Sequence, residues 1–240
     1  MIERLIGPIK ARFGDNLIAL AATASFARGD DGPYSDLELT AFVHTLPEGP
    51  HGVGRIHDGL LVELIWMTRD GWLDMVCRRP GLEWHLAGSD LLQPIINPEF
   101  IAALVNEAAR PRRADCLGLA KRHWHEVQES TSKVLKASAA GDAEALALVY
   151  WDMVRHVLIS LSFLNARPFT TFARMIPEAR RFDILPTRFE SMLAPLVHGF
   201  TDPAALHDLA LGLFDEMEGL LELAGIDPYA ADLRLFEPDA

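Results

Sequence analysis

The pattern of apolar residues changes near residue 97, and this change limits the folds open to the chain. Before it, three segments have the pattern of strands. Leu17–Ala22 is a continuous apolar run, residues 60–66 form an apolar run that contains one acid, and Leu37–Val43 alternates between apolar and polar residues. Several glycines lie in the segment that connects Val43 to residue 60. After Pro98, apolar residues recur at helical spacing almost to the end. We therefore predict an α/β (α+β) fold, with an N-terminal mixed sheet and flanking helices followed by a C-terminal helical bundle.

The boundary between the two parts is expected between about residues 97 and 112, so we divide the chain into domains 1–108 and 109–240. The longest apolar stretch, residues 143–164, is interrupted by Asp152, Arg155 and His156. Charged and polar groups at these positions would be costly in a lipid bilayer. The stretch is therefore expected to be a buried helix, with no membrane partner.

The charge balance restricts the partners. The chain carries 34 acidic and 22 basic residues, a net charge of −12. This disfavours nucleic acid and anionic lipid as partners and favours a cationic small molecule. Cys77 and Cys116 are too few for a disulfide framework or a zinc pattern, and the N-terminus lacks a secretion signal. A cytoplasmic location is expected.

Three carboxylates are candidates for a metal site. Asp36 and Glu38 are two residues apart on a predicted strand, so they project from one face. Glu63 lies inside an otherwise apolar strand, where a lone carboxylate would be expensive unless paired or metal-bound. Hard oxygen ligands suit Mg²⁺. If the two strands are neighbours, the three side chains can form a magnesium site for phosphoryl chemistry.

The loop before Asp36 has the composition of a phosphate-binding segment. Ser25 offers a hydroxyl and a backbone N–H, and Arg28 offers a guanidinium. Gly29 and Gly32 permit close approach of the backbone to a ligand. Phosphates are expected to lie between this loop and the metal.

The segment 24–38 resembles the signature of the nucleotidyltransferase superfamily, in which a Gly-Ser pair precedes Asp-x-Asp/Glu at a fixed distance. Residues 31–36, Asp-Gly-Pro-Tyr-Ser-Asp, are similar to the kanamycin nucleotidyltransferase (aminoglycoside 4′-O-nucleotidyltransferase) family. The resemblance implies transfer of AMP from Mg-ATP to an aminoglycoside hydroxyl, which confers antibiotic resistance. It also implies a homodimer and adds Ser35 to the nucleotide site.

The same resemblance assigns a general base. The family uses a glutamate one helical turn before a lysine, a spacing matched by Glu129 and Lys133, with Glu126 as the nearest rival. Glu129 would take the proton of the acceptor hydroxyl, and Lys133 would contact phosphate or orient the carboxylate. One departure is Ala24, which stands where the family has glycine. Its methyl group would crowd the phosphate if the backbone there needs a positive φ.

Two alternatives remain open. One is a nucleotidyltransferase that modifies a protein or RNA hydroxyl, although RNA would predict a basic stripe that the sequence lacks. The other is a nucleotide-binding module that has lost catalysis, with Ala24 as the mark of that loss. Retained binding of Mg-ATP without release of pyrophosphate would favour the second.

Overall fold

The computed structural model describes residues 2–33, 35–57, 59–89, 91–108, 111–199 and 202–229. Contacts divide the chain into two compact units. Unit 1 is Met1–Arg112 with Thr170–Phe172, and unit 2 is Arg113–Phe169 with Ala173–Ala240. The first unit is mixed α/β and the second is helical, which confirms the predicted fold class. The division after residue 108 stays a prediction.

Unit 1 is built on one mixed sheet. Its strands are β1 (Leu17–Ala22), β2 (Leu37–Val43), β3 (Gly52–His57), β4 (Leu60–Met67) and β5 (Gln93–Ile96). They lie in the order β3-β4-β2-β1-β5, with β2 and β4 parallel and the other neighbours antiparallel. Its α-helices are α1 (Ile2–Phe13), α2 (Ala24–Arg28), α3 (Arg69–Leu73) and α4 (Pro98–Glu107).

The alternation along β2 and β4 separates an apolar face from a face that carries the candidate acids. Leu39 and Trp66 point to the face covered by α1, where they pack with Phe13. Phe42 points to the other face and packs against helices α3 and α4. Because successive side chains alternate, Glu38 and Glu63 share the face of Phe42.

Strand β3 corrects the sequence prediction, which placed only a glycine-punctuated connection there. Gly52–His57 pairs antiparallel with β4 at the edge of the sheet. Its side chains are mostly exposed, including Val53 at 55% and Ile56 at 71%. An edge strand without a buried apolar face lacks the periodicity by which strands are recognised.

Unit 2 consists of helices around a separate core. They are α5 (Arg113–Ala140), α6 (Ala143–Asn165), α7 (Met175–Ala179), α8 (Phe189–His198) and α9 (Pro203–Leu223). α5 packs against both α6 and α9. Trp124 of α5 stacks on Phe214 of α9 with ring centroids 5.0 Å apart. Tyr150 of α6 donates a hydrogen bond of 2.9 Å to the carbonyl of Met192 in α8.

Helix α6 is long and apolar enough to cross a membrane by length and composition. However, 67% of its apolar window is buried inside the protein. Its N-terminus is capped by Asp142, which accepts a hydrogen bond from the backbone N–H of Ala145. The prediction of a buried helix over this stretch is confirmed.

Candidate active site

Glu38 and Glu63 are directly opposite each other across the parallel pair β2–β4. On the far side of β4, Gly54 of β3 pairs with Glu63. A Cβ at position 54 would lie 3.2 Å from both Cγ and Oε1 of Glu63. The Glu63 carboxylate therefore lies across the bare backbone of Gly54, in space that a side chain would fill. The condition set by the sequence analysis, that the two acid-bearing strands are neighbours, is met.

The charges around Glu38 are concentrated enough to change its titration. Burial raises the pKa of Glu38, and the negative charges of Glu63 and Asp36 raise that pKa further. The positive charge of Arg28 acts in the opposite direction. Glu63, Asp36 and Arg28 therefore all lie within electrostatic reach of Glu38. A crowd of carboxylates with this electrostatic cost is stabilised by a bound cation.

Asp36 lies just before β2, at the end of a tightly closed loop. Ser35 donates its backbone N–H to the carbonyl of Gly32 at 3.0 Å, and its Oγ accepts the N–H of Gly32 at 2.8 Å. The Ser35 hydroxyl is thus engaged in shaping the loop. Gly32, Ser35 and Asp36 line a cavity of about 440 Å³ together with Phe26 and Asp31. The cavity is also lined by Ile2, Leu37 and Leu60 on the face covered by α1, and Glu38, Glu63 and Arg28 do not line it, so it gives room beside Asp36 alone.

Arg28 is the cation of this site and is almost fully buried. Its side chain is 10% exposed. Asp30 accepts hydrogen bonds from its Nε and lies 3.1 Å from its Nη2. The Nη1 atom is buried and has no hydrogen-bond partner among the described residues. Ser25 lies at the start of the same short helix, α2, which ends at Arg28.

Ala24 adopts a left-handed backbone conformation, with φ at 54°. Non-glycine residues pay about 1–2 kcal/mol in this region because Cβ approaches the following carbonyl oxygen. The neighbouring backbone is fixed, since the N–H of Thr23 donates to the carbonyl of Glu38 at 3.0 Å. The condition under which the Ala24 methyl group would crowd a ligand is therefore met.

The donor set of unit 1 suits magnesium in its chemistry. Asp36, Glu38 and Glu63 are hard oxygen donors, and the register of β2 and β4 brings two of them side by side. Among the described residues, no three His, Cys, Asp or Glu side chains form a group that could hold a metal as they stand. Side-chain rotation of these acids would be needed for three ligands. Their assignment as metal ligands stays a prediction.

In unit 2, Glu129 and Lys133 lie on the exposed surface of α5. Lys133 Nζ is 2.8 Å from Glu129 Oε1, and the two side chains are 50% and 48% exposed. The hydrogen bond and the charge of Lys133 lower the pKa of Glu129. The same hydrogen bond raises the pKa of Lys133. The glutamate is therefore ionised at neutral pH, as a base must be.

A polar cluster that sequence reasoning missed lies near this pair. His156 of α6 is 7% exposed, and its Nδ1 is 3.1 Å from Nε2 of His123 in α5. Arg155 Nη2 lies 2.9 Å from His156 Nε2 and 3.0 Å from Asp152. Because a guanidinium can only donate, Nε2 of His156 accepts and Nδ1 carries the proton. The rival base Glu126 also approaches His156, at 4.0 Å.

Burial lowers the pKa of His156, and the charges of Arg155 and Lys133 lower that pKa further. Asp152 and Glu126 partly oppose this shift. The contacts join residues 33 positions apart on two helices. No local spacing indicates such a cluster, although the charges inside an apolar stretch mark its α6 half.

Comparison with known families identifies the helical part of the chain. Residues 113–227 match the KNTase C-terminal domain family. This range begins at the first residue of unit 2 and takes in all five of its helices. A search of curated proteins gives no significant match.

Comparison with solved structures covers nearly the whole chain. The chain is similar to a nucleotidyltransferase-like protein from Exiguobacterium sibiricum, with a TM-score of 0.52 and 13% sequence identity. The match covers 94% of this chain and 77% of that protein. At this identity the similarity establishes a shared fold. The two comparisons agree: the helical unit matches the KNTase C-terminal domain family, and the chain shares its fold with a nucleotidyltransferase-like protein.

Proposed function

We propose that the protein transfers AMP from Mg-ATP to a hydroxyl of an aminoglycoside and so confers antibiotic resistance. The observation that carries the proposal is the pairing of Glu38 with Glu63 across β2 and β4, with Asp36 and Arg28 within electrostatic reach. The match of residues 113–227 to the KNTase C-terminal domain family, with the fold shared with a nucleotidyltransferase-like protein, supports nucleotidyl transfer in general. The aminoglycoside as acceptor rests on the similarity of residues 31–36 to the kanamycin nucleotidyltransferase family.

In this proposal, unit 1 holds and orients the nucleotide. Asp36, Glu38 and Glu63 provide the oxygen ligands for magnesium, which when bound offsets charge on the leaving pyrophosphate. The buried guanidinium of Arg28 offers its free Nη1 to a phosphate oxygen. Ser25 offers its hydroxyl and backbone N–H to the same phosphates, and the loop closed by Ser35 borders the nucleotide.

Unit 2 supplies the proposed general base. Glu129 takes the proton of the acceptor hydroxyl as its oxygen attacks the α-phosphorus. The bond from that phosphorus to the β-phosphate bridging oxygen breaks, and pyrophosphate leaves. The pKa of Glu129 is lowered, so the carboxylate is free to accept the proton at neutral pH. Lys133 fixes the orientation of that carboxylate or contacts phosphate.

The acceptor is proposed to be polycationic, because the net charge of −12 attracts ammonium groups. A homodimer in the cytoplasm, with Glu129 acting in its own or the partner's site, completes the proposal. Neither nucleic acid nor membrane is a proposed partner.

A pyrophosphate-release assay with Mg-ATP and a panel of aminoglycosides tests the proposal. Wild-type protein is expected to release pyrophosphate with kanamycin or tobramycin, and Asp36→Asn to release almost none. Asp15→Asn, which removes the same charge from an exposed residue outside the site, is the matched control. An aminoglycoside without a 4′ hydroxyl tests the position modified. Absence of release with every aminoglycoside would refute the acceptor.

The positive φ of Ala24 favours a second candidate, a nucleotide-binding module without catalysis. Its strained backbone and added methyl group lie in the segment proposed to approach the phosphates. Mg-ATP binding in calorimetry, without pyrophosphate release for any aminoglycoside, protein or RNA hydroxyl, would support this candidate. Restoration of turnover by Ala24→Gly would identify the methyl group as the cause.

A further inference from the structure

The turn that follows α2 brings an acidic residue back onto the arginine two positions earlier. Gly29 adopts a left-handed conformation, with φ at 70°. The N–H of Asp30 donates to the carbonyl of Ser25 at 3.2 Å, and the N–H of Gly29 donates to Phe26 at 3.3 Å. These bonds close the end of the helix in the manner of a Schellman motif. The backbone of Asp30 is thereby fixed relative to Ser25 and Arg28.

The Asp30 carboxylate occupies one edge of the Arg28 guanidinium. Its Oδ1 accepts from Nε at 3.1 Å and lies 3.1 Å from Nη2. With this edge held, the guanidinium has little freedom to rotate. The remaining nitrogen, Nη1, is buried, and the part of the chain that the structure describes gives it no hydrogen-bond partner. A buried donor without a partner costs about 1–3 kcal/mol, so it marks a place where an acceptor is expected.

The acceptor for Nη1 does not come from the protein as described. Glu38 feels the positive charge of Arg28, but no hydrogen bond joins the two side chains among the described residues. The half-buried Asp30, with its side chain 29% exposed, already binds the opposite edge. An anionic ligand oxygen is therefore the natural partner of Nη1.

We propose that Asp30 is a positioning residue, which holds Arg28 so that its free Nη1 meets a phosphate of the bound nucleotide. This inference rests on the proposed nucleotide site and adds a residue to it. Asp30 carries a negative charge close to the phosphates and repels them. It favours nucleotide binding only if its orientation of Arg28 outweighs this repulsion. The burial of Arg28 favours orientation, because a misdirected guanidinium would lose its ion pair with Asp30 in a low-dielectric site.

The test is a double-mutant cycle on nucleotide binding. The affinity for the Mg²⁺ complex of a non-hydrolysable ATP analogue is measured by calorimetry for wild type, Asp30→Ala, Arg28→Ala and the double variant. Loss of an oriented, charge-assisted hydrogen bond predicts about tenfold weaker binding for Asp30→Ala. In the Arg28→Ala background, Asp30→Ala is expected to cause no further loss, because the positioning role acts through the guanidinium and only the repulsion between Asp30 and the phosphates is then removed.

Conservative variants separate positioning from loop damage. Asp30→Asn keeps an acceptor oxygen, so about a threefold loss and partial rescue relative to Asp30→Ala are expected. Asp15→Asn in the same unit controls for the change in net charge. Melting temperatures identify variants that fail to fold. If Asp30→Ala is one of them, the test is decided by the ratio of the nucleotide affinities of Asp30→Asn and wild type.

The outcomes are distinguishable. Failure of wild-type protein to bind any nucleotide would refute the proposed function itself. Wild-type binding that is unchanged in Asp30→Ala, or an equal loss in both Arg28 backgrounds, would refute only the positioning role. Tighter binding by Asp30→Ala would show that Asp30 competes with phosphate for Arg28 and would also overturn the inference.

Discussion

Lys133 Nζ and Glu129 Oε1 are 2.8 Å apart on consecutive turns of α5. Both side chains are about half exposed, so the ion pair contributes little to stability. Its effect is on titration, because the pKa of Glu129 is lowered by the hydrogen bond from Lys133 first and by its charge second. The pair keeps the Glu129 carboxylate ionised, which a general base requires. The role proposed for Glu129 can be tested.

Replacement of Glu129 by glutamine is expected to reduce turnover with an aminoglycoside by roughly 10²–10⁴-fold, the usual contribution of a general base. Affinity for the Mg-nucleotide is expected to be unchanged, because the base acts on the acceptor. Pyrophosphate release measures turnover, and calorimetry measures affinity. Glu144→Gln, an exposed acid in the first turn of α6, is the matched control. A larger loss in Glu126→Gln than in Glu129→Gln would transfer the role to the rival.

Removal of Lys133 is expected to shift the acid limb of the pH profile. The base must be unprotonated, so activity falls as pH falls through the pKa of Glu129. Lys133 lowers that pKa, and its replacement by glutamine lets the pKa rise toward the usual glutamate value. The acid limb of kcat/KM therefore moves to higher pH. Lys136→Gln, on the same helix, is expected to leave the limb in place, and coincident profiles for all proteins would contradict the assignment.

Ala24→Gly is expected to stabilise the protein. Alanine at φ 54° is strained, whereas glycine adopts this conformation readily, so a gain of about 1 kcal/mol in the free energy of unfolding is predicted. Chemical denaturation measures it. The matched control is Ala27→Gly in the same short helix, where glycine is expected to destabilise by about 0.5–1 kcal/mol. Equal losses from both substitutions would show that position 24 carries no strain.

Buried His156 predicts a loss of stability in mild acid. Its pKa is lowered in the folded protein, chiefly by burial, while in the unfolded chain it returns to about 6.5. Below that pH, His156 is protonated in the unfolded state but stays neutral in the folded state. The free energy of unfolding therefore decreases as pH falls through about 6.5. His156→Asn is expected to flatten this dependence, measured by denaturation between pH 7.5 and 5.5. His125→Asn, with a side chain 77% exposed in wild type, should retain it.

The sequence predicted the elements that have buried faces. The strands carrying Glu38 and Glu63 were recognised because apolar residues surround both acids. Strand β3 was missed because edge exposure removes the apolar signal. Arg28, which is close to the acids in sequence, lies within electrostatic reach of Glu38, and its role in the site stays a prediction.

The parts that sequence could not supply depend on contacts between distant segments or on backbone dihedrals. Nothing local pairs His123 with His156, because helix packing brings them together. The strain at Ala24 was raised only as a condition, since alanine normally avoids positive φ. The Asp30 contact to Arg28 had a signal in the intervening Gly29, whose left-handed turn allows the return.

The exposed edge of the sheet has a practical consequence for handling the protein. Among the described strands, β3 pairs with β4 alone, and the exposed Val53 and Ile56 lie beside backbone groups that are available to another strand. At high concentration, such exposed edge strands pair with strands of other molecules and aggregate unless a charged side chain on the edge prevents it. Arg55 is the only charged side chain between these two apolar residues. Substitution of Arg55 with a neutral residue is therefore expected to promote precipitation of concentrated samples, although Arg55 is not part of the proposed site.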